Sequence, residues 1–216
     1  TNVAFNPSVG QEESRDLVVP YMGHQGVILT GSHATLSGEV EIAGSGTLGT
    51  PPAYGPLLRA CGLAEVIDAG VSVEYTPVSA SHEATSIRFN ADGVQHILLG
   101  ARGTFTLQLT PLRIPRFALT FTGLLGTITD EALPTIDLTK FVKPAVVNKA
   151  NTTFSLHGLA GACEGVTMDL ANQVEPRFLI GHESIQQVDR LMTGSAVMEA
   201  VLLATKNWLA ISEAGT

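Results

Sequence analysis

Charge is scarce in this 216-residue chain. Asp, Glu, Lys and Arg together make up 15%, against roughly a quarter in ordinary soluble domains. Aromatic residues are 6% and cysteines number two. Basic residues are the scarcer sign, 12 against 20 acidic, for a formal charge of −8. No basic run and no alternation of basic and aromatic residues occurs, which removes the usual means of gripping a phosphate backbone. No apolar run approaches the roughly 18 residues of a membrane-spanning helix. Cys61 and Cys163 lack metal-ligand spacing. Cys61, in an apolar helical pattern, reads as a buried thiol, which fits assembly in a reducing cytoplasm. Thr1 is not an initiator Met and no charged-then-apolar leader follows it, so the natural chain is expected to start upstream.

What the chain does have is apolar residues, 44%, with a mean hydropathy of +0.25. A mildly apolar, charge-poor surface is expected to be covered by neighbours. Part of the sequence is also written twice. Displaced by 61 residues, 96–119 lies over 157–180 without a gap, and nine of 24 positions are identical. They include His96/His157, Gly100/Gly161, Thr106/Thr167 and the triplet Pro115-Arg116-Phe117 over Pro176-Arg177-Phe178. Both stretches read as a strand, a glycine turn and a further strand pair, a duplicated β-unit suited to a symmetric assembly.

Residues 1–34 are polar and glycine-bearing, with acids at Glu12, Glu13 and Asp16, and read as an arm with one short strand. From 35 to 42, Leu36, Val40 and Ile42 alternate with Ser37, Glu39 and Glu41, the pattern of a half-buried strand. Residues 52–62 form a short helix ended by Gly62. A strand follows at 71–76, then a hairpin over 86–99 turned by Asp92-Gly93. Half-buried strands run through Phe105, Leu107 and Leu109 and through Phe117, Leu119 and Phe121. A long connector fills 124–151. After the second copy come a strand near 195–201 and a helix over 205–214, with Thr205 as its N-cap and Gly215 beyond its end. The fold expected is all-β and mainly antiparallel, with short flanking helices. The organisation expected is an arm at 1–34, a first β-unit with its helix at 35–123, the connector, and a second β-unit with the C-terminal helix at 152–216. One integrated domain is the alternative.

Motifs that would carry chemistry fail on context. Gly44, Gly46 and Gly49 give the G-x-G-x-x-G spacing of a dinucleotide loop. However, the strand before it exposes Glu39 and Glu41, Pro51-Pro52 removes amides that would cradle pyrophosphate, and no βαβ alternation follows. His24, His33, His82, His96, His157 and His182 are scattered. His82-Glu83 and His182-Glu183 each lack the second histidine of a zinc-protease helix. His96 and His157, equivalent in the repeat, are expected to serve a structural role at the same place in each copy. The pairs Glu12-Glu13 and Asp130-Glu131 read as solvated surface. No catalytic residue, cofactor or metal is expected.

The stretches Gly38-Glu39-Val40-Glu41-Ile42-Ala43-Gly44-Ser45-Gly46 and Tyr54-Gly55-Pro56-Leu57-Leu58-Arg59-Ala60-Cys61-Gly62 occur in order with Val73-Glu74-Tyr75-Thr76-Pro77, Asp92-Gly93-Val94-Gln95-His96 and Leu99-Gly100-Ala101-Arg102-Gly103. Phe121-Thr122-Gly123-Leu124, the run 147–154 and Leu203-Ala204-Thr205-Lys206 continue the series. From about Arg15 onward this set resembles the major tail tube protein of long-tailed, non-contractile bacteriophages and related prophages. The resemblance implies a β-sandwich or barrel-like fold with a flanking helix. It also implies subunits that pair sheets into rings, and rings that stack into a hollow tube. Such a tube, assembled in the host cytoplasm and carried in the virion, encloses a tape-measure protein and meets tail terminator and tail tip proteins. DNA would touch it only in transit, without specific binding, and no membrane is involved. The duplication favours a trimeric ring with pseudo-sixfold symmetry over a hexamer. Glu39 and Glu41 are candidates for the lumen lining; a solvated outer face is the competing reading. A secreted β-sandwich binding module and a tube protein of a contractile injection system are the rival functions. The module would ordinarily carry more surface aromatics and a signal peptide.

Overall fold

The longest alternating stretches of the sequence become the longest strands. The structure, a computed structural model, describes residues 2–15, 17–23 and 25–215; Asp16 and His24 lie outside the described residues. In chain order the elements are β1 (Ala4–Ser14), β2 (Val27–Glu41), α1 (Gly55–Ala60), β3 (Leu63–Asp68), β4 (Ser72–Pro77), β5 (Thr85–Ala91) and β6 (Val94–Leu109). There follow β7 (Arg116–Leu125), β8 (Thr129–Asp130), β9 (Cys163–Asp169), β10 (Asn172–Leu179), β11 (His182–Arg190), β12 (Thr193–Met198) and α2 (Trp208–Ala214).

Eight strands form one antiparallel sheet in the order β1-β2-β7-β6-β9-β12, with β5 and β8 also pairing with β6. The two-stranded sheets β3-β4 and β10-β11 complete the fold. Register sorts the large sheet into two faces, because side chains alternate along each strand. Leu36 opposite Phe121, Gly38 opposite Leu119, and Phe105 opposite Leu119 define one face. It closes over α1, burying Leu58, Ala60 and Cys61 with Ala34, Leu98, Ala101, Phe105, Leu119, Phe121 and Leu170. The sheet curls, so that Phe5 on β1 stacks on Phe89 of β5 with ring centroids 4.9 Å apart. The opposite face is polar: Ser37, Glu39 and Glu41 stand across from Thr120, Ala118 and Arg116. The β10-β11 hairpin lies against part of it, with Phe178 beside His33 and the Arg102 guanidinium donating to the Ile185 carbonyl. The result is all-β and mainly antiparallel with two short helices, as the alternation predicted, and sandwich-like, as the resemblance implied.

Several local expectations are corrected. The segment 1–34 is not an arm with one short strand, because β1 pairs with β2 from Ala4↔Ser37 to Ser14↔Val27. β2 therefore starts at Val27, eight residues before position 35, and runs unbroken across the expected boundary. Strand β3 was not anticipated. The C-terminal helix is capped by Asn207, whose Oδ1 accepts from the Ala210 amide at 3.0 Å, rather than by Thr205.

The sequence echo is not carried into two like structures. In the first stretch β6 turns through 110–115 and returns as β7 beside itself. In the second, β9 joins the large sheet on the other edge of β6, and β10 leaves that sheet to pair with β11. Pro115 precedes a strand, whereas Pro176 lies inside β10, in a two-stranded sheet where a missing amide is tolerated. The large sheet thus draws strands from both sides of the connector.

Candidate functional site

The glycine loop shows what its spacing serves. Gly46 and Gly49 have φ of +82° and +68°. A Cβ on Gly49 would lie 2.2 Å from the Gly70 amide nitrogen and 2.6 Å from the Asp68 carbonyl oxygen. The loop is glycine-rich because its backbone packs directly on the β3-β4 turn. The space beneath it, about 610 Å³, is walled mainly by apolar groups including Leu58, Phe105, Phe117 and Met168. That lining offers no phosphate cradle.

Other polar clusters are structural. Asn172 is buried at the gap in the β6 edge between β5 and β9. Its Nδ2 donates to the Cys61 and Gly103 carbonyls at 2.7 and 2.8 Å. Its Oδ1 accepts from Gln187 Nε2 and Arg190 Nε, both at 2.7 Å. Arg190 also donates to the Gly62 carbonyl at 2.9 Å, so one side chain joins α1, β6, β10 and β11. Burial pushes the neighbouring Cys61 thiol up to about 12, against a smaller opposing effect of Arg190. A thiol that stays protonated at neutral pH is a poor nucleophile.

The described histidines do not converge. His96 on β6 lies against Phe5, centroids 4.8 Å apart, while His157 has φ +47° in a turn beside Trp208. The equivalence expected from the repeat is lost, because 157–162 is a loop where 96–101 is a strand. Among the described residues no group of three or more His, Cys, Asp or Glu side chains is placed to hold a metal. No helix among them is long and apolar enough to cross a membrane.

Glu39 and Glu41 share a cation. Arg116, across the ladder on β7, reaches Glu39 at 3.0 Å and Glu41 at 3.8 Å. All three side chains are partly exposed on the polar face, near Gln108 and Arg113. Two carboxylates with Arg116 between them and Arg113 nearby leave that patch close to neutral.

The prominent surface feature is apolar. Leu17, Val18, Tyr21 and Met22, between β1 and β2, are exposed, as are Val27, Ile28 and Leu29 at the start of β2. Pairing of β2 with β7 begins only at His33↔Leu124, so 27–32 run past the end of β7 with β1 as their sheet partner, Gly31 lying against Phe178 of β10. Exposed Leu133, Ile136, Leu138 and Phe141 line the connector, and Leu202, Leu203 and Leu209 the C-terminal segment. Helix α2 buries none of its residues. Among the described residues, strands β1 and β12 end the sheet path. A lone domain gains nothing from so much apolar surface and open edge; a subunit awaiting neighbours does.

No curated protein matches the sequence. Residues 8–216 match the family model described as phage tail tube protein. The match takes in nearly the whole chain, including the projecting hairpin, the sheet and the apolar C-terminal segment. The chain belongs to the phage tail tube protein family, and is a structural component of the bacteriophage virion tail.

Proposed function

We propose that copies of this chain close into rings and that the rings stack into the hollow tube of a long, non-contractile tail. Such a tube would form in the host cytoplasm around a tape-measure protein, be bounded by terminator and tip proteins, and pass DNA during infection. The observation that carries this reading is the concentration of exposed apolar side chains on the projecting hairpin, the connector and the C-terminal segment. The open edges of β1 and β12 support it, since sheet pairing between subunits would satisfy their backbone groups. The role proposed is structural and not enzymatic, as membership of the tail tube family implies.

Six chains per ring fit this fold better than three. The trimer rested on two like β-units per chain, and the chain offers one large sheet built across both stretches. The polar face bearing Ser37, Glu39, Glu41, Thr120 and Thr106 is the proposed channel wall: rich in hydroxyls and close to neutral where Glu39 and Glu41 face Arg116. Duplex DNA would slide past such a face without adhering. Electron microscopy of the purified protein tests the reading. Rings or hollow tubes support it, and a strict monomer at high concentration refutes it.

A further inference from the structure

The two ends of the large sheet carry complementary surfaces. At one end the hairpin formed by β1 and β2 projects past β7 by six residues, about 20 Å of strand. Register places Glu12 opposite Leu29 and Glu13 opposite Ile28, all four exposed. Each face of the projection therefore carries one acid beside an apolar side chain, with exposed Arg15 just past the end of β1. At the other end a strap over 138–149 crosses the fold. It is tied to the β6-β7 turn by backbone bonds between Leu112 and Val147 and between Val147 and Arg113. The strap holds Lys140, Lys143 and Lys149, three of the four lysines in the chain, interleaved with exposed Leu138, Phe141 and Val142. Asp137 is drawn below the usual carboxylate range, first by hydrogen bonds from Thr139 and also by Lys140. None of the three lysines, nor Glu12 or Glu13, is in an ion pair among the described residues. Glu164 of β9 lies at the same end, so the basic character belongs to the strap and not to the whole end.

The two surfaces cannot meet within one chain. Val142 packs near Gly46, just past the C-terminal end of β2, whereas Glu12 and Glu13 pair with its first residues. Fifteen residues of extended chain, about 50 Å, separate them. A surface at one end that fits a different surface at the other makes a heterologous contact, which propagates instead of closing.

We infer that the projecting β1-β2 hairpin docks on the 138–149 strap of a second copy through the face that carries Glu12, Val27 and Leu29, set against its lysines and Leu138, Phe141 and Val142, with Glu13 adding its charge from the other face. This contact rests on the tube reading above and is assigned to stacking between rings. Each ring repeats it around its circumference, so pairs that are individually weak act together.

Charge exchange in the full chain tests the inference. One variant carries Glu12→Lys and Glu13→Lys, a second Lys140→Glu, Lys143→Glu and Lys149→Glu, and a third combines all five. Circular dichroism confirms folding, native mass spectrometry counts chains per ring, and sedimentation with electron microscopy scores tubes. The expected result is rings without tubes for each one-sided variant and recovery of tubes in the combined one. Tubes at the wild-type yield from either one-sided variant, or no recovery in the combined one, overturns the docking while leaving the tube reading intact. Wild-type protein that forms neither rings nor tubes overturns both.

Discussion

Asn172 uses its amide fully: two donors to buried carbonyls and one oxygen shared by Gln187 and Arg190. Removing it strands two buried acceptors and part of a guanidinium, groups that cost far more unpaired than they return when paired. Asn172→Ala is therefore expected to destabilise the protomer by about 2–4 kcal/mol in chemical denaturation. Asn172→Asp should be at least as damaging, since it sets an oxygen against the Cys61 and Gly103 carbonyls. Cys61 gives a second test at this scale. Its thiol is raised from the ordinary 9.0 to about 12 by burial, so the folded protein holds that proton where the unfolded chain has released it. The associated stability is fully present below about pH 9 and is lost as pH rises toward 12. At pH 8 an alkylating reagent should modify the half-buried Cys163 while sparing Cys61 until the protein unfolds; equal rates would contradict the burial seen at α1.

Elements were legible where local chemistry dictated them. Asp92-Gly93 turns β5 into β6 with φ of +48° and +86°, both left-handed, as the two-residue hairpin expected there requires. Gly93→Val should cost about 1–2 kcal/mol by forcing a β-branched side chain into that region. The strands through Phe105 and Phe117 announced themselves by alternation over a buried face. β1 and β3 did not. β1 is an edge strand with polar residues on both faces, and β3 is six residues paired only with β4. Nor could a ladder register be read from residues 157–180. His157 and Ala171 take left-handed turns that no residue type announces, and these send the echoed sequence to a different partner. The candidate site was legible in part: the acids and their alternation were plain, but Arg116, distant in sequence, was not. Replacing 15–26 with Asn-Gly would close the hairpin with a two-residue turn and leave the β1-β2 ladder intact from Ser14↔Val27 onward. A folded protein of unchanged thermal midpoint that no longer forms tubes is the expected outcome, and unimpaired tubes would remove the 15–26 connection, with Leu17, Val18, Tyr21 and Met22, from the interface.

For the whole molecule the question is which face meets the channel. With Glu39 and Glu41 sharing Arg116, the polar face is nearly neutral at that point, and its charge acts only within about 8 Å at physiological salt. Glu39→Lys with Glu41→Lys would place three cations per chain on one patch, repeated around every ring. If that face lines the channel, ejection of DNA should slow, most strongly at low salt, as phosphate contacts multiply. Wild-type ejection from correctly assembled double-variant particles would put these residues on the outside. Assembly itself is the claim on which the rest depends, and a helical reconstruction by cryo-electron microscopy of the purified full chain tests it most directly. The account predicts a hollow tube of stacked six-subunit rings, with the Glu39 face toward the channel and each projecting β1-β2 hairpin seated on the next ring. Protein that stays monomeric at high concentration, or a filament with no continuous lumen, would contradict it.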